Sequence, residues 1–510
     1  MENESQKESI DRGLRLLVKS SFIVFITLFL SKVFLYLYRI IIAKHYGPGV
    51  YGLFALSIMF VGWFRIFSGL GLKEGLLRYI SLFRGKKENK KIQYVFRKSF
   101  LLTIFTSILA GFLLFLFSES IALKFFSNTD LILFLKIFSV TLPFLVIGGI
   151  FLAVIRAYEK IGWFSFISNV LWNLATLITL IILIGLGINS TSVAISYLVG
   201  TFAMFAMAYV VCKIKLPEIF KSSRKIQEKD KKIFDKMFSY SWPFIFYGAM
   251  ISIFYWIDSF MIGIFKTVDD VGFYHAAIPI ASLLVLPIDL FKQLFFPLVT
   301  KEYAKGNIEG VKQLSQQVGK WVFMMAAPFF ILLMIFPGVF INTLFGPEYL
   351  VAENALRFLS IGALFTTLFG ISEELISMKG KSKIILADIA CVAIANVILN
   401  ILFVPKYGIT GAGLATMLSV ISLNLLFFTQ SYKYLSIIPF RRKMLKIALI
   451  VIFSSILLLF IKSFVQTNLS SLIVCGTFFI SVYTLLVLTT NCLDKNDWQI
   501  LKLIYSKIKG

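Results

Sequence analysis

Long apolar runs alternate with short polar gaps along the whole chain. No Asp, Glu, Lys or Arg occurs from Trp163 to Cys212, from Trp321 to Pro347, or from Ser463 to Leu493. About 20 apolar residues carry a helix through roughly 30 Å of hydrocarbon, so the first of these stretches is long enough for two passes. Strands of a β-barrel would be about ten residues long and would alternate in polarity, which these runs do not. The pattern predicts an all-α polytopic membrane protein with about fourteen transmembrane helices. The expected spans cover residues 21–42, 50–71, 99–118, 131–155, 163–186, 191–212, 238–263, 272–297, 320–343, 353–377, 383–404, 409–431, 445–462 and 469–490.

The gaps carry the charge, and they do so alternately. Of the 51 Lys and Arg residues, forty fall in 1–20, 72–98, 156–162, 212–236, 298–320, 378–383, 432–446 and the tail after 490. The intervening gaps hold only Lys44, Lys124, Lys266, Lys406 and, at a margin, Lys462. Cytoplasmic loops are the ones enriched in Lys and Arg, so both termini are expected in the cytoplasm of a multi-pass protein of the cell membrane. The net charge of +25 then marks a membrane face and gives no reason to expect a nucleic-acid partner. Residues 73–98 combine Leu76, Leu77, Ile80 and Phe83 with many cations, and read as an amphipathic helix lying in the membrane interface.

A repeat is visible. Gly52 in VYGLFALSI answers Gly272 in DVGFYHAAI; Gly187-Ile188 answers Gly408-Ile409; Lys160 answers Lys381. The shared spacing predicts two six-helix halves of the same orientation, spans 1–6 and 7–12. The expected organisation is an N-terminal lobe at 1–212, a basic cytoplasmic linker at 213–236, a second lobe at 237–431, and two added helices with a tail at 432–510.

Charges inside the spans are the candidate chemistry. Burying an ionised side chain at mid-bilayer costs at least about 2.5–3.5 kcal/mol, so such residues face a wet cavity or a partner. Lys32, Tyr36 and Arg39 share one face of the first span, and Arg65 lies in the second. Asp258 sits in the seventh at a depth similar to Arg39, so the two are candidates to pair if the halves face each other. Asp289 and Lys292 share a face of the eighth span and can neutralise each other; Asp388 lies near the inner end of the eleventh. Lys136, Arg156, Arg357, Glu373 and Glu374 are close enough to span ends to snorkel. His275 is expected at an interface. The candidate substrate-binding set is Lys32, Arg39, Arg65, Lys292 and Arg357, with Asp258 and Asp289 as coupling or counter-ion acids. Cations around a wet cavity imply an anionic ligand, and the planar fork of Arg suits phosphate.

Other chemistry finds no support in the residues. No GxxxxGK[ST] sequence is present, so any uphill movement is expected to use H+, Na+ or the membrane potential. With two His and four dispersed Cys, neither a metal site, a structural disulfide nor any cofactor is expected. The polar first twenty residues do not read as a cleavable signal, so the first span is expected to direct insertion.

Two segments carry a family resemblance. Ala43 to Leu53 (AKHYGPGVYGL) and Val404 to Ser419 (VPKYGITGAGLATMLS) resemble the first external turn and the turn between helices 11 and 12 of Wzx-type polysaccharide flippases. These belong to the multidrug/oligosaccharidyl-lipid/polysaccharide exporter superfamily, and the resemblance in span number and two-half layout extends over essentially the whole chain. It implies a non-enzymatic transporter, expected as a monomer among membrane lipids. Alternating access between two six-helix bundles would translocate a polyprenyl-(pyro)phosphate-linked oligosaccharide for cell-surface glycan assembly. The related lipid II flippases have an Arg-lined lumen, and Lys32, Arg39 and Arg65 occupy comparable helices. The drug-exporter branch carries coupling acids in its first helix, and no Asp occurs in that helix here. A cation-coupled drug or solute antiporter and a peptidoglycan-precursor flippase stand as alternatives. A membrane glycosyltransferase or polymerase would need a larger external loop than the dozen or so residues available.

Overall fold

A computed structural model describes residues 2–221, 228–464, 468–494 and 497. Residues 222–227 of the expected linker and most of the tail beyond 494 lie outside the described residues. The described structure is helical throughout, with no strand. Ten helices are long and apolar enough to cross a membrane, and two bent pairs, Val268–Ser282 with Leu286–Lys292 (54°) and Pro347–Phe369 with Ile371–Met378 (43°), bring the number to 12.

Two of the ten are double. The 44 residues of Ile26–Gly69 would reach about 66 Å at 1.5 Å per residue, twice the hydrocarbon thickness. The helix breaks at Gly47, whose φ of 78° and ψ of −177° no helix contains. The 54-residue Ser382–Leu435 helix breaks likewise at Gly408, with φ 56° and ψ −135°. Each leg of these two broken helices is by itself long enough to span the hydrocarbon. Gly187 and Gly408, paired by the repeat, both take a positive φ, 73° and 56°.

The chain forms two compact units, Met1–His275 and Ala276–Gly510. The first therefore includes the Pro243–Phe265 helix, which lies beyond the linker in sequence. Glycine explains how it packs there. A Cβ on Gly52 would lie 1.9 Å from the Val268 carbonyl oxygen, and one on Gly272 would lie 2.0 Å from that of Pro48 and 3.1 Å from the Gly52 nitrogen. The two glycines singled out by the repeat thus touch each other. At the far end of the same leg, a Cβ on Gly71 would lie 2.0 Å from the Ser241 carbonyl oxygen and one on Gly75 2.0 Å from the Ser241 hydroxyl. Only hydrogen at Cα allows backbone to approach backbone this closely.

Three expectations are refined. The Leu72–Gly85 helix buries Leu72, Leu76, Ile80 and Phe83 against the Asn89–Phe126, Asp130–Ala157 and Glu228–Ser241 helices. Most of its apolar face is therefore covered by protein, while Leu82 remains exposed. The third span lies within a helix of 38 residues, Asn89–Phe126, longer at both ends than its apolar core. The helix of the ninth begins at Ile308 and runs to Ile335, because helix formation continues through the polar residues Gln313 to Lys320, well ahead of the apolar run.

Candidate functional site

Tyr38 and Tyr46 fix the first leg of the broken N-terminal helix. The Tyr38 hydroxyl donates to the Val193 carbonyl (2.9 Å), and that of Tyr46 donates to Ile188 O (3.2 Å) and meets Ser192 Oγ at 2.6 Å. Next to Lys32, Ser31 accepts a hydrogen bond from Asn173 Nδ2 at 3.0 Å. Asn173 follows a π-helical turn, Phe166–Leu171. Such turns widen a helix and re-aim side chains. With the leg held this way, Lys32 and Arg39 are half-buried, while Arg65 on the second leg is exposed at the surface of the first unit.

Arg39 borders a buried polar cluster drawn from both legs and from the Pro243–Phe265 and Val268–Ser282 helices. Its guanidinium stands at the Tyr51 hydroxyl, which donates to the His275 carbonyl at 3.0 Å. The His275 ring meets Ser259 Oγ at 2.8 Å through Nε2 and stacks on Trp256 with centroids 5.7 Å apart. One residue along each helix, Tyr274 donates to Asp258 Oδ2 at 2.6 Å. Tyr51, Tyr274, His275, Asp258 and Ser259 are all buried. His275 therefore lies in the packed interior, where the glycine contacts above draw its helix against the second leg.

Among the described residues no Arg39–Asp258 ion pair is present; Asp258 accepts from the Tyr274 hydroxyl. Among the described residues, Lys32, Arg39 and Arg65 form no ion pair. Arg39 Nε is buried with no acceptor, and so is Trp63 Nε1 on the second leg. An unpaired buried donor costs about 1–3 kcal/mol, and more when charged.

The second unit treats its cations differently. Lys292 Nζ reaches Glu373 Oε2 at 2.8 Å and Glu374 Oε1 at 3.5 Å. The bridge ties the short arms of the two bent spans, Leu286–Lys292 and Ile371–Met378. Glu373 and Glu374 thus hold a partner and do not merely snorkel. With Asp289 three residues away on the same helix, the neighbourhood of Lys292 carries more negative than positive charge and is ill-suited to an anion. Arg357 donates to Asn354 Oδ1 at 2.8 Å and lies 3.5 Å from Glu353 Oε2.

Sequence reading missed Lys320. It is fully buried and paired with Asp494 at 2.8 Å and Asp497 at 2.5 Å. Asp494 also binds Arg441 (2.6 Å) and Lys443 (2.5 Å), and Trp321 Nε1 donates to Asp497 at 2.8 Å. Burial opposes ionisation of Asp494, but hydrogen bonds from Lys320 and Lys443 and the field of Arg441 bring its carboxyl down to about 2. The ionic knot fastens the start of Arg442–Lys462 and the end of Leu469–Thr489 to the Ile308–Ile335 helix. Its one signal in sequence was a Lys bordering a long uncharged run, which reads as a cytoplasmic flank.

Residues 17–301 match the profile of the family described as polysaccharide biosynthesis protein, more than half of the 510-residue chain. The chain belongs to that family. Residues 243–405 also match the MatE profile. An uncharacterized membrane protein of Methanocaldococcus jannaschii is 27% identical over 472 residues, covering 90% of this chain and 92% of the relative. A putative O-antigen transporter of Shigella flexneri is 25% identical over 391 residues, covering 74% of this chain and 89% of the relative. The solved structure of the lipid II flippase MurJ in an inward closed conformation superposes with a TM-score of 0.72 at 19% identity, over 91% of this chain and 98% of that one. The likeness establishes the fold: the protein is a multi-pass membrane protein built as these transporters are.

Proposed function

We propose that the protein is a flippase that carries a lipid-linked oligosaccharide across the cytoplasmic membrane by alternating access, without chemical conversion of the substrate. Membership of the family and the name of the Shigella relative support the class of activity. One observation carries the choice of ligand chemistry: Arg39 presents a buried, charged donor with no acceptor in the protein. A phosphate or pyrophosphate linking glycan to lipid provides that acceptor, in the bidentate geometry that Arg favours. Lys32 and Arg65 supply further positive charge on the same two legs. The polyprenyl chain stays in lipid, since only the polar head needs shelter from hydrocarbon.

Movement takes place between the lobes 1–212 and 237–431 in a monomer with both termini in the cytoplasm. The glycine contacts on the second leg act as its closing surfaces, Gly52 with Gly272 at one end and Gly71 with Ser241 at the other. The driving force is H+, Na+ or the membrane potential, and Asp258 with its Tyr274 partner is the candidate coupling acid. Cation-coupled antiport of a small solute is the second reading, favoured by the MatE match and by this buried carboxylate.

Reconstitution into liposomes with a fluorescent polyprenyl-pyrophosphate oligosaccharide tests both. The flippase reading expects the probe to become accessible from the opposite leaflet, and Arg39→Ala to stop this. Absence of flipping, together with gradient-driven movement of a cationic dye, would replace it with antiport.

A further inference from the structure

A cavity of about 380 Å³ lies wholly within the second unit. Its walls are the end of the Ile308–Ile335 helix, the start of Pro337–Leu344, the second turn of Glu353–Phe369, and the facing ends of Arg442–Lys462 and Leu469–Thr489. Two cations, Arg357 and Lys462, and one carboxylate, Glu353, line it.

Both cations are held in place yet keep donors free. Lys462 Nζ donates to the Ile335 carbonyl at 2.8 Å and lies 5.2 Å from the centre of the Phe336 ring. An ammonium has three hydrogens, so two remain. Arg357 commits one N–H to Asn354 at 2.8 Å and meets Glu353 only at 3.5 Å. The carboxylate of Glu353 leans over Gly338, where a Cβ would lie 2.1 Å from Oε1. The charge lining the cavity is therefore net positive. Its volume suits a single small head group and excludes an oligosaccharide.

The setting adds a second constraint. Lys462 is the last residue of one candidate span and Leu469 the first of the next, so the cavity opens at the level of lipid head groups. Of the lining residues, Leu350 and Leu469 are 37% and 47% exposed, so apolar surface adjoins the cavity.

We propose that this cavity is a phosphate-ester site, in which Arg357 and Lys462 hold the anion and Asn342 and Thr343 border it. It is independent of the translocation site assigned to Lys32, Arg39 and Arg65. The phosphate belongs either to a lipid head group or to a soluble compound, and the test separates the two.

The full-length protein is delipidated in detergent. Native mass spectrometry then measures retention of phosphatidylglycerol, with phosphatidylcholine as the zwitterionic control, and equilibrium dialysis measures inorganic phosphate. R357Q/K462Q should weaken binding of one probe by at least about tenfold, the loss expected for charge-assisted hydrogen bonds. R357K/K462R should recover it to within about threefold. Dependence seen with phosphatidylglycerol identifies the lipid as source; dependence seen only with phosphate identifies a soluble ligand. Equal binding of both probes by wild type and R357Q/K462Q overturns the proposal. If that variant does not fold, Asn342→Cys replaces it. Its maleimide modification should slow by at least about fivefold with one of the probes, and no protection by either is equally decisive against the site.

Discussion

Two sets of cations, one in each unit, are partnered in opposite ways. In the second, Lys320 is sealed from solvent between two aspartates, and the half-buried Lys292 is paired with two glutamates. In the first, Lys32, Arg39 and Arg65 carry no ion-pair partner among the described residues, and Arg39 Nε is buried without an acceptor. A cation whose valence is filled by the protein holds helices together. A buried donor left unfilled costs stability, and the proposed function gives that cost a purpose. Counting intramembrane charges does not separate these roles, whereas counting their partners does.

The largest expected effect falls on the filled side. Lys320→Ala leaves Asp494 and Asp497 facing Arg441 and Lys443 alone, and removing one partner of a buried ion pair costs about 3–5 kcal/mol. Thermal unfolding in detergent should show a large drop in the midpoint; an unchanged midpoint would dissolve the contrast between the units. On the unfilled side, Arg39→Ala should leave the midpoint within about 1 kcal/mol of wild type, because no ion-pair partner is orphaned and the Tyr51 hydroxyl keeps its bond to the His275 carbonyl. Export in cells should nevertheless fall to background, with Arg39→Lys recovering part of it.

Next in size is the glycine contact. Gly52→Ala drives a methyl group into the Val268 carbonyl, and overpacking of this kind costs about 1–3 kcal/mol. Cysteines placed across that contact should then crosslink more slowly than in the parent, while cysteines flanking Gly71 and Ser241 should not. Charge reversal at Lys292 and Glu373 together should recover more of the midpoint than either single reversal, since the bridge closes again with its sign exchanged.

The smallest effect is on pH dependence. The carboxyl of Asp494 lies at about 2 against an ordinary 3.8. A carboxylate lowered on folding contributes stability that is complete above its unfolded value and lost as pH falls through the folded one. The knot around Lys320 should therefore stay intact from neutral pH to about 4 and weaken towards 2. Lys320→Ala removes two of the causes of the lowering, so the variant's midpoint should start to fall at a higher pH than wild type.

Much of this was legible in the chain. Apolar run length and the alternation of Lys and Arg define the crossings, because hydrocarbon admits only helices and closed barrels and these runs are too long and too uniformly apolar for barrel strands. The Gly52–Gly272 repeat was visible as spacing, although only structure reveals that the two glycines touch. The partners were not legible. Lys320 meets Asp494 and Asp497 across more than 170 residues, and hydropathy contains nothing about that. His275 looked interfacial beside Asp269 and Asp270 at the start of its helix, whereas packing against Tyr51 and Ser259 carries it inside. Leu76, Ile80 and Phe83 gave the periodicity of an amphipathic helix, and periodicity does not distinguish protein from lipid as the apolar neighbour.

The central claim is that the unfilled cations of the first unit receive the anionic head of the substrate. Its most direct test is the affinity of the purified protein for a fluorescent polyprenyl pyrophosphate, compared among wild type, Arg39→Ala and Lys292→Met at matched thermal stability. The account predicts that Arg39→Ala weakens binding by at least about tenfold and that Lys292→Met leaves it unchanged. Equal affinity in wild type and Arg39→Ala would contradict it.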